Sequence, residues 1–349
     1  MSDPKAMQAQ LEAQRRKIDV DNYTITVREL LSMAERSELK RAPEYQRKFR
    51  WDEEAESRLI ESILLGLPVP NLFFATNEDG SWEVVDGLQR ISTLIHFASD
   101  SDAQLAEIKK KTPLVLRELK KLDQFNGLSY EDLPPSMKFA FTKRGLGVTA
   151  LSDKSDPQIR FDTFERLNRG SVELSKQEVR ACIYEGPFNK MIRELADTED
   201  FKTLVKLQRK NEENATREEL VLKFFAYLNK RSDFTGAVHD FLNTYMEANR
   251  HSFDVDEGRE VFTRVVDEIL NVTQGPLLRS NTHVTPQNEL EAVMVACAEL
   301  LQEHGEIGTP ASGWLDDKQL VAASTGATNT RPKLRDRIAR AKELLTPEG

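Results

Sequence analysis

The sequence predicts an α+β protein, with an α+β N-terminal half followed by an all-helical C-terminal half, joined near residue 180. Three observations lead there. Leu72-Phe73-Phe74-Ala75 and Trp82-Glu83-Val84-Val85 flank the turn Asn77-Glu78-Asp79-Gly80 and read as a β-hairpin. Tyr23-Thr24-Ile25-Thr26-Val27 alternates and is rich in β-formers. Beyond residue 173, apolar residues recur at helical spacing almost without a break. At 349 residues the chain is long enough for about two domains. We divide it into an N-terminal arm (1–21), an α+β domain (22–182) and a helical domain (183–349).

The elements follow in order. Residues 1–20 are polar with a weak helical rhythm. After the strand at 23–27, a short helix runs through Leu30 and Leu31. Tyr45-Gln46-Arg47 belongs to an extended loop before Trp51. Asp52 is an N-cap for a helix carrying Leu59, Ile60, Ile63 and Leu64, which stops at Gly66. Pro68 and Pro70 punctuate the exit into the hairpin. Asp86-Gly87 hands the chain to an amphipathic helix with Ile91, Leu94, Ile95 and Phe97 on its apolar side. Residues 105–128 form a lysine-rich insertion with no clear period. A helix over 159–167 enters Asn168-Arg169-Gly170, and the next runs over 173–182. Further helices are expected at 188–195, 217–228, 237–249, 261–270, 290–304 and 334–345.

Composition narrows the function classes. The chain is 39% hydrophobic and 31% charged, which describes a soluble globular protein, not a disordered tail. Its longest nearly apolar stretch, 290–301, is interrupted by glutamates and too short to span a bilayer, so no membrane partner is expected. Residues 1–16 have no charged-then-apolar leader, and the expected location is cytoplasmic. Cys182 and Cys297 lack any CxxC context and read as buried apolar residues. The histidines (His96, His239, His251, His283, His304) form no metal-ligand pair. A net charge of −9 argues against coating duplex DNA over the whole surface, but not against a local basic cleft. Basic residues do cluster at 41–50, 109–121 and 331–342; solvated faces account for the last two.

The strand–Asp86–Gly87–helix junction is the most informative local feature. A helix starting at Leu88 aims unpaired backbone N–H groups and its positive dipole end at whatever precedes it. Gly87 permits a positive φ or close approach of a ligand. Arg90, one turn in, is placed to pair with a phosphate. Asp86 would repel a bare phosphate, which implies an intervening metal ion or polarised water, oriented by Gln89. Read by itself, the same junction is also a plain turn with a helix cap. Two arginine-bearing segments, at Tyr45-Gln46-Arg47 and at Phe164-Glu165-Arg166-Leu167-Asn168-Arg169-Gly170, add to it if the loops converge.

Tyr45-Gln46-Arg47, Trp51 and the line from Arg58 to Pro70 resemble the opening of DUF262 domains, found at the N-terminus of GmrSD-type restriction enzymes. Val84-Val85-Asp86-Gly87-Leu88-Gln89-Arg90-Ile91-Ser92-Thr93-Leu94 resembles that family's DGQQR motif and its helix. The run from Phe164 to Gly170, followed by Leu174-Ser175-Lys176-Gln177-Glu178, resembles its second motif. The resemblance spans 22–185, in the family's order. It implies a ParB/sulfiredoxin-like fold and a nucleotide-driven role in defence against foreign DNA. Carried over, Asp86 is the metal- or water-directing acid, Gln89 an orienting group and Arg90 a phosphate ligand. Gly87 and Leu88 line the nucleotide, and Gln46, Arg47, Asn168 and Arg169 complete the pocket. The implied cofactors are a nucleoside triphosphate and magnesium.

Leu88 stands where the family has glutamine, so binding is expected to survive better than hydrolysis. None of the histidines beyond residue 200 sits in an HNH setting, so the resemblance is to stand-alone members that depend on a separate nuclease or effector. The expected function is thus a nucleotide-binding, NTP-hydrolysing regulatory or sensor component of a restriction or anti-phage system. DNA is a further expected partner, and self-association is left open. The alternatives are a ParB-like metal-dependent nuclease built on Asp86, and a non-catalytic reader of modified DNA with Tyr45 or Trp51 stacking on a base.

Overall fold

The computed structural model describes residues 3–15, 19–40, 51–77, 79–152, 155, 161–163, 175–212 and 214–347. The chain divides into two compact units, Met1–Glu173 and Leu174–Gly349. It is an α+β structure, with its sheet in the first unit and helices throughout the second.

In the first unit, helix α1 (Pro4–Arg15) precedes strand β1 (Val20–Thr26), helix α2 (Val27–Glu35) and the short strand β2 (Leu39–Lys40). Helix α3 (Glu53–Leu65) leads to β3 (Leu72–Thr76), β4 (Trp82–Asp86) and α4 (Leu88–Ala98). Then come α5 (Asp102–Glu107), α6 (Pro135–Thr142) and β5 (Gly145–Leu151). The described strands form one sheet in the order β1-β5-β3-β4-β2. β3 pairs antiparallel with β4 and parallel with β5, while β1 pairs antiparallel with β5. β3 is therefore interior, which explains its unbroken apolar run.

Local chemistry sets the boundaries. Asp52 caps α3 by accepting the Ala55 N–H at 2.8 Å, and Glu53, Glu54 and Glu56 in its first turn favour the helix dipole. Gly66, at φ 76°, ends the helix in the left-handed region. Leu72, Phe74, Val84, Leu146, Val148 and Ala150 alternate along their strands. They form one core with Val27 and Leu30 of α2, Ile60 and Ile63 of α3, and Ile91, Leu94 and Ile95 of α4.

Four described elements of this unit were not expected from the sequence: β2, α5, α6 and β5. Strand β5 was hidden by its glycines, which weaken any β signal. A Cβ on Gly145 would lie 2.6 Å from Thr24 Cγ2, and one on Gly147 would lie 2.3 Å from Asn71 Oδ1, so each glycine leaves room for a neighbouring side chain. The lysine-rich insertion is ordered against the helices. Leu114 N–H donates to His96 O at 2.8 Å, Arg117 N–H to Ser57 Oγ at 3.1 Å, and Lys121 N–H to Glu61 Oε1 at 2.8 Å. Its leucines 114, 116 and 119 are buried. Of the helix expected over 159–167, residues 161–163 are described and helical; the rest lies outside the described residues.

The second unit comprises α7 (Lys176–Ile183), α8 (Pro187–Ala196), α9 (Glu199–Leu204), α10 (Arg209–Glu212), α11 (Thr216–Lys230) and α12 (Val238–Asn249). It continues with α13 (Val255–Thr273), α14 (Gln287–His304), α15 (Lys318–Ser324) and α16 (Arg331–Leu345). Ser175 and Glu178 form a reciprocal capping box that starts α7. α14 packs against α11, α13, α15 and α16, which is why its sequence is apolar nearly all round. No described helix is long and apolar enough to cross a membrane. Cys182 and Cys297 are buried and are not joined to each other by a disulfide.

Candidate nucleotide site at the β4–α4 junction

The junction is built by a strand that ends at Asp86, a glycine in the left-handed region, and a helix that begins at Leu88. Gly87 adopts φ 106° and ψ 8°, where a side chain is strained. A Cβ there would also lie 2.3 Å from Leu72 Cδ2 and 3.4 Å from Arg90 Nη2. Two separate constraints thus require glycine. Gly87 O accepts the Ile91 N–H at 2.9 Å, opening the helical ladder, and no side chain caps the turn.

Arg90 folds back across that turn. Its Nη2 donates to Asp86 Oδ2 at 2.7 Å, while its Nη1 donates to the carbonyls of Asn71, at 3.0 Å, and Pro70. The guanidinium therefore clamps the end of β4 to the loop that enters β3. Its side chain is 11% exposed, whereas that of Asp86 is 45% exposed. Arg90 thus holds protein groups, and Asp86 presents a positioned carboxylate at the surface. Such a carboxylate suits a magnesium ion carried by a nucleotide, because Mg²⁺ is held by one or two carboxylates together with phosphate oxygens. Among the described residues no cluster of three or more His, Cys, Asp or Glu side chains could hold a metal ion. Any metal here would come with its phosphate ligands.

Gln89 is tied down as well. Its Oε1 accepts the Trp51 N–H at 3.3 Å, linking the first turn of α4 to the start of α3. Leu88 is half-buried against the core, a packing role that its apolar side chain fills and a glutamine would not. Trp51 also packs against this core. Gln46, Arg47, Asn168 and Arg169, expected to complete the pocket, lie outside the described residues, as does Tyr45. Asn71 and Pro70 were not singled out from the sequence. The only signal was Pro70 itself, which marks a loop whose carbonyls have no ladder partners.

The basic runs at 109–121 and 331–342 are heavily engaged in ion pairs. Lys110 meets the buried Glu56 at 3.0 Å, Arg337 meets Glu291 at 2.9 Å, and Arg340 meets Asp317 at 2.8 Å.

The junction lies inside the stretch that a family comparison matches. Residues 27–185 match the model of the GmrSD restriction endonuclease, N-terminal domain. No curated protein and no solved structure matches the chain. The matched stretch covers the core of the first unit and continues through α7, so residues 27–185 are similar to that N-terminal domain.

Proposed function

We propose that this protein is a nucleotide-binding component of a prokaryotic DNA restriction or anti-phage system, and that it hydrolyses a nucleoside triphosphate at the β4–α4 junction. The observation that carries the reading is the junction itself. An uncapped helix turn behind a glycine at positive φ directly follows an exposed carboxylate held by Arg90, all within a stretch similar to the GmrSD N-terminal domain. In this reading the backbone N–H groups of the first turn of α4 receive phosphate oxygens. Asp86 takes the magnesium that accompanies them, which screens the phosphate charge and polarises the attacked phosphorus.

Arg90 serves in two ways: it fixes Asp86 through Nη2, and its remaining N–H groups reach a phosphate only if the nucleotide lies over Gly87. Gln46, Arg47, Asn168 and Arg169 supply further polar contacts, and Gln89 orients the attacking water once nucleotide displaces its bond to Trp51. The ParB/sulfiredoxin-like resemblance belongs to the same reading. So do DNA as a ligand and a separate nuclease or effector as partner, since the matching domain is that of a restriction endonuclease.

The test is phosphate release from ATP, GTP, CTP and UTP with magnesium, with and without DNA, for the wild type and for Asp86→Asn and Arg90→Ala. Release that Asp86→Asn abolishes while nucleotide binding persists is the expected result. Binding without release in the wild type would reduce the assignment to a sensor in which Leu88 replaces a hydrolytic group. Absence of both for every nucleotide would overturn it.

A further inference from the structure

The second unit buries a set of hydrogen-bond donors that no described residue accepts. Arg180, on α7, is fully buried. Its Nε donates to Asn243 Oδ1 of α12 at 2.9 Å and its Nη1 to Gln177 Oε1, one turn earlier. Among the described residues its Nη2 has no hydrogen-bond partner. Both amides accept from the guanidinium through oxygen, which leaves their NH₂ groups, Gln177 Nε2 and Asn243 Nδ2, buried and also without an acceptor. Flipping either amide would set an NH₂ group against the guanidinium, so the orientation is forced. His239, four residues before Asn243 on α12, adds a fourth unmatched atom, Nδ1. Buried donors of this kind are rarely left open in folded proteins.

The surrounding charge has the matching sign. Glu219 of α11 stands 3.8 Å from Arg180 and 3.1 Å from Lys223, and so is shared. Lys223 also meets Glu291 at 3.2 Å, and Glu291 meets Arg337 at 2.9 Å. Arg180, Lys223 and Arg337 against Glu219 and Glu291 leave one positive charge in excess. Lys176, beside His239, adds to it. Burial first, then Lys176, Arg180 and Lys223, lower the pKa of His239 against the opposing pull of Glu219, so the ring is neutral near pH 7. His239 and Lys176 are half-buried.

We propose that Gln177, Arg180, Asn243 and His239 form a binding site for a phosphate-class oxyanion. Such a group is anionic and presents several acceptor oxygens, as three unmatched NH₂ groups from two helices require. The site lies within the second unit, whereas the β4–α4 junction belongs to the first.

The test is thermal unfolding of the full chain in inorganic phosphate against sodium chloride at equal ionic strength. A phosphate-specific rise of about 5 °C is expected near a hundredfold excess over Kd. Asn243→Asp keeps the oxygen that Arg180 Nε needs and replaces the unmatched NH₂ with a second oxygen for Nη2. That protein should be at least as stable as the wild type in chloride and should lose the phosphate-dependent rise; Gln177→Glu should behave alike. Repeating the titration with AMP and ATP in the Asp86→Ala protein shows whether the phosphate is free or carried on a nucleotide. Either of two results overturns the proposal: no phosphate-specific rise in the wild type, or an undiminished rise in both carboxylate variants.

Discussion

Replacing Gly87 by alanine would hold φ at 106° and drive a methyl group to within 2.3 Å of Leu72 Cδ2. The backbone strain alone costs about 1–3 kcal/mol, and relief of the clash would move the first turn of α4. Urea unfolding of Gly87→Ala should therefore show a loss at the upper end of that range, together with loss of nucleotide binding. Stability close to wild type would show that the turn relaxes without the glycine. Arg90→Lys tests the clamp. A lysine cannot serve two carbonyls and a carboxylate from one planar fork, so a loss of about 2 kcal/mol is expected. A double-mutant cycle with Asp86→Asn should assign only about 1 kcal/mol to the ion pair, because the Asp86 side chain is 45% exposed and its charge is screened. A coupling several times larger would mean that Asp86 is held more tightly than this geometry indicates.

Helices α3 and α4 are joined by a buried network near the C-terminal end of α4. Glu56 is fully buried, receives Lys110 Nζ at 3.0 Å and lies 2.5 Å from His96 Nδ1; His96 Nε2 meets Thr112 O at 3.0 Å. One carboxylate thus binds α3 to α4 and to the lysine-rich segment. Glu56→Leu strands both partners, and a loss of about 3–5 kcal/mol is expected in denaturant unfolding. A loss under 1 kcal/mol would show that the network closes on water instead. At this scale the sequence was readable where an element announces its own ends. Asp52 and Gly66 bracket α3, and Ser175 with Glu178 starts α7, because caps are local chemistry. The hairpin and the Asp86-Gly87 junction were readable for the same reason. β5 was not, since Gly145 and Gly147 answer to Thr24 and Asn71, residues far away in the chain. Nor could the sequence show that Arg90 is spent on the carbonyls of Pro70 and Asn71, or that Arg180 reaches Asn243 across 63 positions. Such pairings exist only after folding.

The two units carry different titratable groups in their interiors, and alkaline pH should separate them. In the second unit, burial pushes the Cys297 thiol up to about 12 from an ordinary 9.0, with Glu268 adding to the shift and Arg264 opposing it. Burial likewise raises the Tyr245 phenol to about 12 from 10.0, against the Asn229 hydrogen bond. The unfolded chain releases these protons at the ordinary values while the folded unit retains them. Folding stability is therefore intact below pH 9 and falls as pH rises above it, by up to about 1.4 kcal/mol per pH unit for each group. Between pH 9 and 10 the thiol acts before the phenol. Trp51 and Trp82 lie in the first unit and Trp314 in the second, so fluorescence distinguishes them. In a Trp51→Phe/Trp82→Phe protein, Trp314 should report a urea midpoint that drops from pH 9 to 10. Adding Cys297→Ala should lower the midpoint at every pH, through the cavity it leaves, yet flatten that drop. An unchanged slope would mean that the thiol ionises in the folded unit as readily as in the unfolded chain, and that its burial between α13 and α14 is not maintained in solution.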